Sequence, residues 1–273
     1  MARRNRRTLK NYFETGARPT ETQFHDLVDS CLNMNDDGFD KTPQNGMEIS
    51  TVDDNNGLIG FFRNREIVNT PLWSIQFDQD SDKLLISHRE KGSVLTLCPD
   101  GRIGMAGNEY PTADLEVGGT IAATGRMGTY HRGAVPADGA WHNITSGLEG
   151  CHSFEVVAGA GGRKRDGRYA MLHAIAMNAY NPCGPFFNIF NIKKKIRCTQ
   201  SYYRSYADKL KLRWHQKNGK YHLQIRSRSP YGPVPRDDTE SDSYPYLIRF
   251  HISQLWFDPA MEQCRAISDG ISL

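Results

Sequence analysis

The stretch Arg102–Gly128, RIGMAGNEYPTADLEVGGTIAATGRMG, decides the fold. Leu115, Val117 and Ile121 fall on alternate positions, and Gly119 stands where the next large residue belongs. That is the period of a strand with one apolar face. Glycine flanks it on both sides, and its neighbours are too polar for a domain interior. Such a strand needs something to pack against. Two partners fit: the edge of a β domain in the same chain, or the same strand in identical copies around a shared axis. In the second case glycines let neighbouring backbones approach closely, and symmetry supplies the missing apolar partner. Fully extended, Ala113–Arg126 would span roughly 45 Å at about 3.3 Å per residue. The expectation is an intertwined β connector over 108–132, with Leu115, Val117 and Ile121 as oligomer contacts.

Upstream, residues 48–107 are patterned as a small β domain. Trp73, Ile75 and Phe77 alternate with Ser74 and Gln76. Pro99-Asp100-Gly101 predicts a turn, since proline presets φ and glycine accepts positive φ. It would join Val94–Cys98 to Arg102–Met105 as a hairpin. Downstream, 133–273 reads as an antiparallel β-sandwich. Phe154, Val156 and Ala158 alternate. Tyr169–Tyr180 puts Tyr169, Met171, His173, Ile175 and Met177 on one face and mostly alanines on the other, although its Ala and Met content also suits a helix. The clearest hairpin is Leu210, Leu212 and Trp214, then Asn218-Gly219, then Tyr221, Leu223 and Ile225. Evenly spaced strands with one wet face argue for a sandwich.

At the other end, residues 1–19 form a basic tail with Arg3, Arg4, Arg6 and Arg7. Residues 20–47 hold an attachment region. Thr20–Gln23 matches a capping box. Phe24, Leu27, Val28, Cys31 and Leu32 follow at helical spacing and predict one amphipathic helix of about 14 residues. A lone helix of that length is marginal in water and needs a partner. Phe24, Leu27, Val28 and Leu32 are therefore the expected attachment residues.

The chain has 273 residues, a net charge of +3 and only 24% charged residues. That balance excludes a uniformly basic nucleic-acid binder. No apolar run reaches 18 residues, so no membrane insertion is expected. The basic start lacks the apolar segment of a signal peptide, which predicts synthesis in the cytoplasm. The six cysteines form no C-x-x-C pair; zinc is not expected, and the thiols read as mostly free and buried.

Motifs for chemistry are near misses. VVAGAGGRKRDGRYA has Lys164 where a dinucleotide loop needs its third glycine, and Gly162-Arg163-Lys164-Arg165 is no phosphate loop. It predicts a flexible basic hairpin loop whose Arg163, Lys164, Arg165 and Arg168 are candidates for an anionic ligand. RDDTESDSYPY lacks the turn glycine and distal glutamate of a calcium loop. Its Asp237 and Asp238, with Tyr231, Tyr244 and Tyr246 of the same Arg228–Tyr246 loop, are candidate binding residues, since tyrosine rings stack on sugars. No catalytic residue, cofactor or metal ligand is expected.

Leu95–Tyr130, LTLCPDGRIGMAGNEYPTADLEVGGTIAATGRMGTY, resembles the strand–DG–strand and P-x-A-x-L-x-V-x-G-x-I junction of phage tail fibres and related adhesin-like proteins. The usual form has G-I-G-T before the proline; here Gly104-Met105-Ala106-Gly107 stands instead. Leu9–Phe39 is similar to the start of proteins of phage-tail-like contractile injection particles, and the C-terminal strands resemble a β-rich fibre tip. The resemblance implies a mainly β homotrimer. Its N-terminal region would dock on other particle components and its C-terminal domain would meet a cell-surface glycan or protein. It implies assembly into a particle, extracellular after release, and no enzyme activity. Two alternatives remain: a glycan-cleaving or toxin-like effector of the same particle, and a nucleic-acid-associated protein using Arg3–Arg7 and Lys193–Arg197.

Overall fold

The computed structural model describes residues 4–34, 36–52, 56–64, 69–162, 165, 167–179, 194–232 and 246–264. The chain is mainly β, with two short α-helices among the described residues, and divides into two units, Met1–Ala122 and Ala123–Leu273. The division falls inside the expected connector.

In the first unit, α1 (Arg6–Tyr12) occupies part of the stretch read as a basic tail. Asn5 Oδ1 accepts the Thr8 N–H at 2.9 Å and caps the helix. Asp26 of α2 (Glu21–Val28) ties the two helices, accepting from Arg4 Nε and from the Tyr12 hydroxyl, both at 3.1 Å. The capping box is present where expected: Gln23 Oε1 accepts the Thr20 N–H at 2.9 Å. The helix is shorter than expected, at 8 residues. Ser30 Oγ bonds the Asp26 carbonyl at 2.6 Å, a side chain competing with helix propagation in the final turn. Leu32 consequently lies beyond the helix.

A hairpin follows, β1 (Phe39–Thr42) with β2 (Gly46–Ile49), straddling the boundary between the region read as attachment and the small β domain. Six strands then form one sheet in sequence order: β3 (Gly57–Phe61), β4 (Trp73–Phe77), β5 (Leu84–His88), β6 (Gly92–Leu97), β7 (Ile103–Met105) and β8 (Leu115–Val117). The Pro99–Gly101 turn joins β6 to β7 as predicted, with Gly101 at φ 89°. The opening stretch supplies both β7 and β8, which pair in parallel. Gly104 permits this return: a Cβ there would stand 1.9 Å from the Asn108 carbonyl oxygen. The strand expected across 113–126 is thus only three residues long, and it forms the edge of the chain's own sheet.

The second unit is the predicted sandwich. One sheet runs β13 (Lys194–Tyr202), β12 (Tyr169–Ala179), β11 (Cys151–Gly161), β16 (Leu247–Gln254), β9 (His131–Pro136); the other runs β10 (His142–Asn143), β15 (Lys220–Ser227), β14 (Leu210–Lys217). All pairings are antiparallel. One buried cluster joins the two inner faces. Phe154, Val156, Leu172, Ile248 and Ile252 come from the first, and Leu210, Trp214, Leu223 and Ile225 from the second. Asn218 (φ 51°) and Gly219 (φ 76°) make the turn between β14 and β15, both left-handed as a type I′ turn requires.

β12 is a strand and not a helix, and its alanines face inward. Ala170, Leu172, Ala174 and Ala176 are buried, while Tyr169, Met171, Ile175 and Met177 are exposed. The inner position goes to the small residues because Phe154, Trp214 and Phe250 fill the same layer. The cysteines also differ from expectation. Cys31, Cys98, Cys198 and Cys264 carry free thiols, but none is buried.

Candidate functional site

Among the described candidates of the Arg228–Tyr246 loop, the tyrosines are packing residues rather than contact residues. Tyr231 is 1% exposed. Its hydroxyl donates to the Asp208 carbonyl at 2.5 Å, and Arg168 lies 4.7 Å over its ring. Burial, reinforced by the charge of Asp208, pushes the phenol up to about 12 against the opposing effect of Arg168. Tyr246 is half-buried. Its ring covers Gly232, where a Cβ would stand 2.2 Å from it, and its carbonyl accepts the Ala137 N–H at 2.7 Å. An isolated tyrosine beside prolines and acids reads as a surface aromatic; nothing local announces the pocket that takes it. Tyr244, Asp237, Asp238 and Arg163 lie outside the described residues.

The basic hairpin loop divides in the same way. Arg165 is exposed at φ 78°. Arg168, directly before β12, is spent internally. Its Nε and Nη2 meet Asp208 Oδ1 at 2.8 and 2.7 Å, its Nη1 donates to the Pro230 carbonyl at 2.9 Å, and its Nη2 reaches Ser229 Oγ at 3.1 Å. Asp208 closes a 3₁₀ turn, Tyr206–Asp208, and also accepts the Ser205 N–H at 3.2 Å. This latch pins the start of β12 to the segment entering β14.

The outward face of the five-stranded sheet carries several exposed apolar side chains. Gly133, Gly159 and Gly161 floor a trough of about 1130 Å³ on it, with Met127, Tyr169, Met171 and Leu247 as walls and Arg132, Arg249 and His251 at the rim. Met171 is 64% exposed. Further along the face, Glu155 accepts from His173 Nε2 at 2.9 Å and from Arg126 Nη2 at 2.7 Å. The His173 hydrogen bond holds the Glu155 carboxyl below its usual range; burial opposes this and the Arg126 charge reinforces it. Gly159 and Gly161 of VVAGAGG thus line a surface trough.

Of the expected oligomer contacts, Leu115 and Val117 lie in the edge strand β8 and Ile121 lies beyond it. Leu115 and Ile121 are 55% and 69% exposed, and Val117 is half-buried. On the expected attachment helix Phe24, Val28 and Leu32 are exposed and Leu27 is half-buried; Phe24 meets Phe13 edge-on at 5.6 Å. No group of His, Cys, Asp and Glu side chains with metal-binding geometry occurs among the described residues. No helix among them is long and apolar enough to cross a membrane. No protein-family model matches the chain, and no curated protein matches it.

Proposed function

We infer that the chain is a homotrimeric structural and receptor-binding component of a phage-tail-like particle, docked through its N-terminal unit, with the sandwich used for recognition. The observation that carries this reading is the outward face of the five-stranded sheet. Tyr169, Met171, Ile175 and Met177 stand exposed there while alanines fill the interior. A monomer gains nothing from large apolar side chains outside and small ones inside, whereas an assembly buries both faces. Exposed Leu115 and Ile121 make the same argument for the first unit, and Phe24, Val28 and Leu32 for docking. The threefold stoichiometry comes from the resemblance of the Leu95–Tyr130 junction.

Light scattering on the full chain at tens of micromolar tests this. The expected mass is three times the 30.9 kDa chain. Met171→Glu with Ile175→Glu, or Leu115→Glu with Ile121→Glu, should lower it. A folded species of single-chain mass at that concentration overturns the reading.

A further inference from the structure

The outward face of the three-stranded sheet has a different chemistry. Trp141, just before β10, lies across from Arg226, because His142 pairs with Ile225. Arg213 and Arg226 stand over its indole, with guanidinium carbons 4.3 and 4.7 Å from the ring centre. Arg213 is held further by Gln224, whose Oε1 accepts its Nε at 2.8 Å and whose Nε2 donates to Asn143 Oδ1 at 2.8 Å. One turn along, the motif repeats: Lys209 Nζ and Arg228 Cζ lie 4.3 and 4.1 Å over the Tyr206 ring.

These cations are arranged against their own interest. Lys211 and Arg226 are direct cross-strand partners, a like-charge pairing that destabilises a sheet. Arg228 N–H bonds the Lys209 carbonyl, which sets a second such pair side by side. Among the described residues no carboxylate forms an ion pair with Lys211, Arg213, Arg226 or Arg228. Arg226 Nε is buried with no hydrogen-bond partner. Guanidinium groups held in place with no counter-charge among the described residues are suited to an anion.

We propose that the Trp141–Arg213–Arg226 face binds the carboxylate groups of an acidic polysaccharide. Arginine forks match planar carboxylates in a bidentate manner. Single-stranded nucleic acid would need open aromatic rings on which to stack its bases, and here cations already cover both the indole and the Tyr206 ring. The inference rests on the recognition role proposed above and is separate from the assembly state.

The test uses the full chain with three probes: polygalacturonate, neutral dextran and duplex DNA, each at two salt concentrations. Polygalacturonate should bind and weaken with salt, and dextran should not bind. Arg213→Gln with Arg226→Gln should weaken binding tenfold or more. Lys195→Gln with Arg197→Gln removes equal charge from the other sheet and should change it less than twofold. Equal losses in the two double variants, binding to dextran, or tighter binding to DNA overturns the proposal. So does absence of binding by a protein whose mass is trimeric; that result leaves the assembly reading standing. Binding by a monomer supports this proposal while overturning the assembly reading.

Discussion

Arg168→Ala removes the centre of the latch that fixes the sandwich's long hairpin. The Asp208 carboxylate is 2% exposed and takes two arginine nitrogens, at 2.8 and 2.7 Å. Deleting one partner of a buried pair costs about 3–5 kcal/mol, because the other charge stays behind uncompensated. Arg168 is itself 19% exposed and Asp208 keeps the Ser205 N–H, so the lower end applies, about 3 kcal/mol. With a urea slope of about 2 kcal/mol/M, the midpoint should fall by about 1.5 M. Tryptophan fluorescence in a Trp73→Phe background reads the second unit alone, since Trp141, Trp214 and Trp256 all lie there. Adding Asp208→Asn removes the stranded charge and should recover a measurable part of the loss, by the logic of a double-mutant cycle. A midpoint shift below about 0.5 M, or a double variant as unstable as the two single losses summed, refutes the argument.

The Tyr231 phenol, raised to about 12, should titrate well above the ordinary phenol value when followed by ultraviolet absorbance. Its folded value exceeds the ordinary one near 10, so its contribution is complete below pH ~10 and is lost as pH rises toward 12; Tyr231→Phe should flatten the stability curve there. Gly104→Ala forces a methyl into the Asn108 carbonyl and should destabilise the first unit by about 3 kcal/mol, read from Trp73 fluorescence. Ala106 sits at φ 58°, a conformation that costs a non-glycine residue about 1 kcal/mol, so Ala106→Gly should raise the midpoint of the same transition. Ala174→Leu overfills the sandwich interior and should cost about 1–3 kcal/mol, whereas Met171→Leu on the outer face should cost almost nothing to folding.

What could be read from the chain follows the range of the interactions involved. Asn218-Gly219 and Pro99-Asp100-Gly101 were legible because a turn is decided by the residues that make it. The alternation of Phe154, Val156 and Ala158 was legible because a strand's period is local. The inward face of β12 was not: period two splits Ala174 from Ile175 but does not say which meets Trp214. Tyr231 was misread for the same reason, since its pocket is built by Arg168 and Asp208, 63 and 23 residues away in sequence. Helix α1 was hidden because the ties of Arg4 and Tyr12 to Asp26 of α2 span 22 and 14 residues and leave no local spacing. The Trp141 face was missed because it joins the approach to β10 with two strands about 70 and about 85 residues further along the chain. The signal that was present is the alternating row of cations at Lys209, Lys211 and Arg213 facing Arg226 and Arg228 across the hairpin.

The alanine lining of β12 has a consequence for how such a molecule diversifies. Along β12 the gap between layers is closed by alanine methyl groups and Leu172, with Phe154 and Phe250 beside them, against Trp214, Leu223 and Ile225. A guest molecule lodged in that packed stretch would have to prise the layers apart. The outer faces carry no such constraint, and each can be rewritten residue by residue while the filling stays as it is.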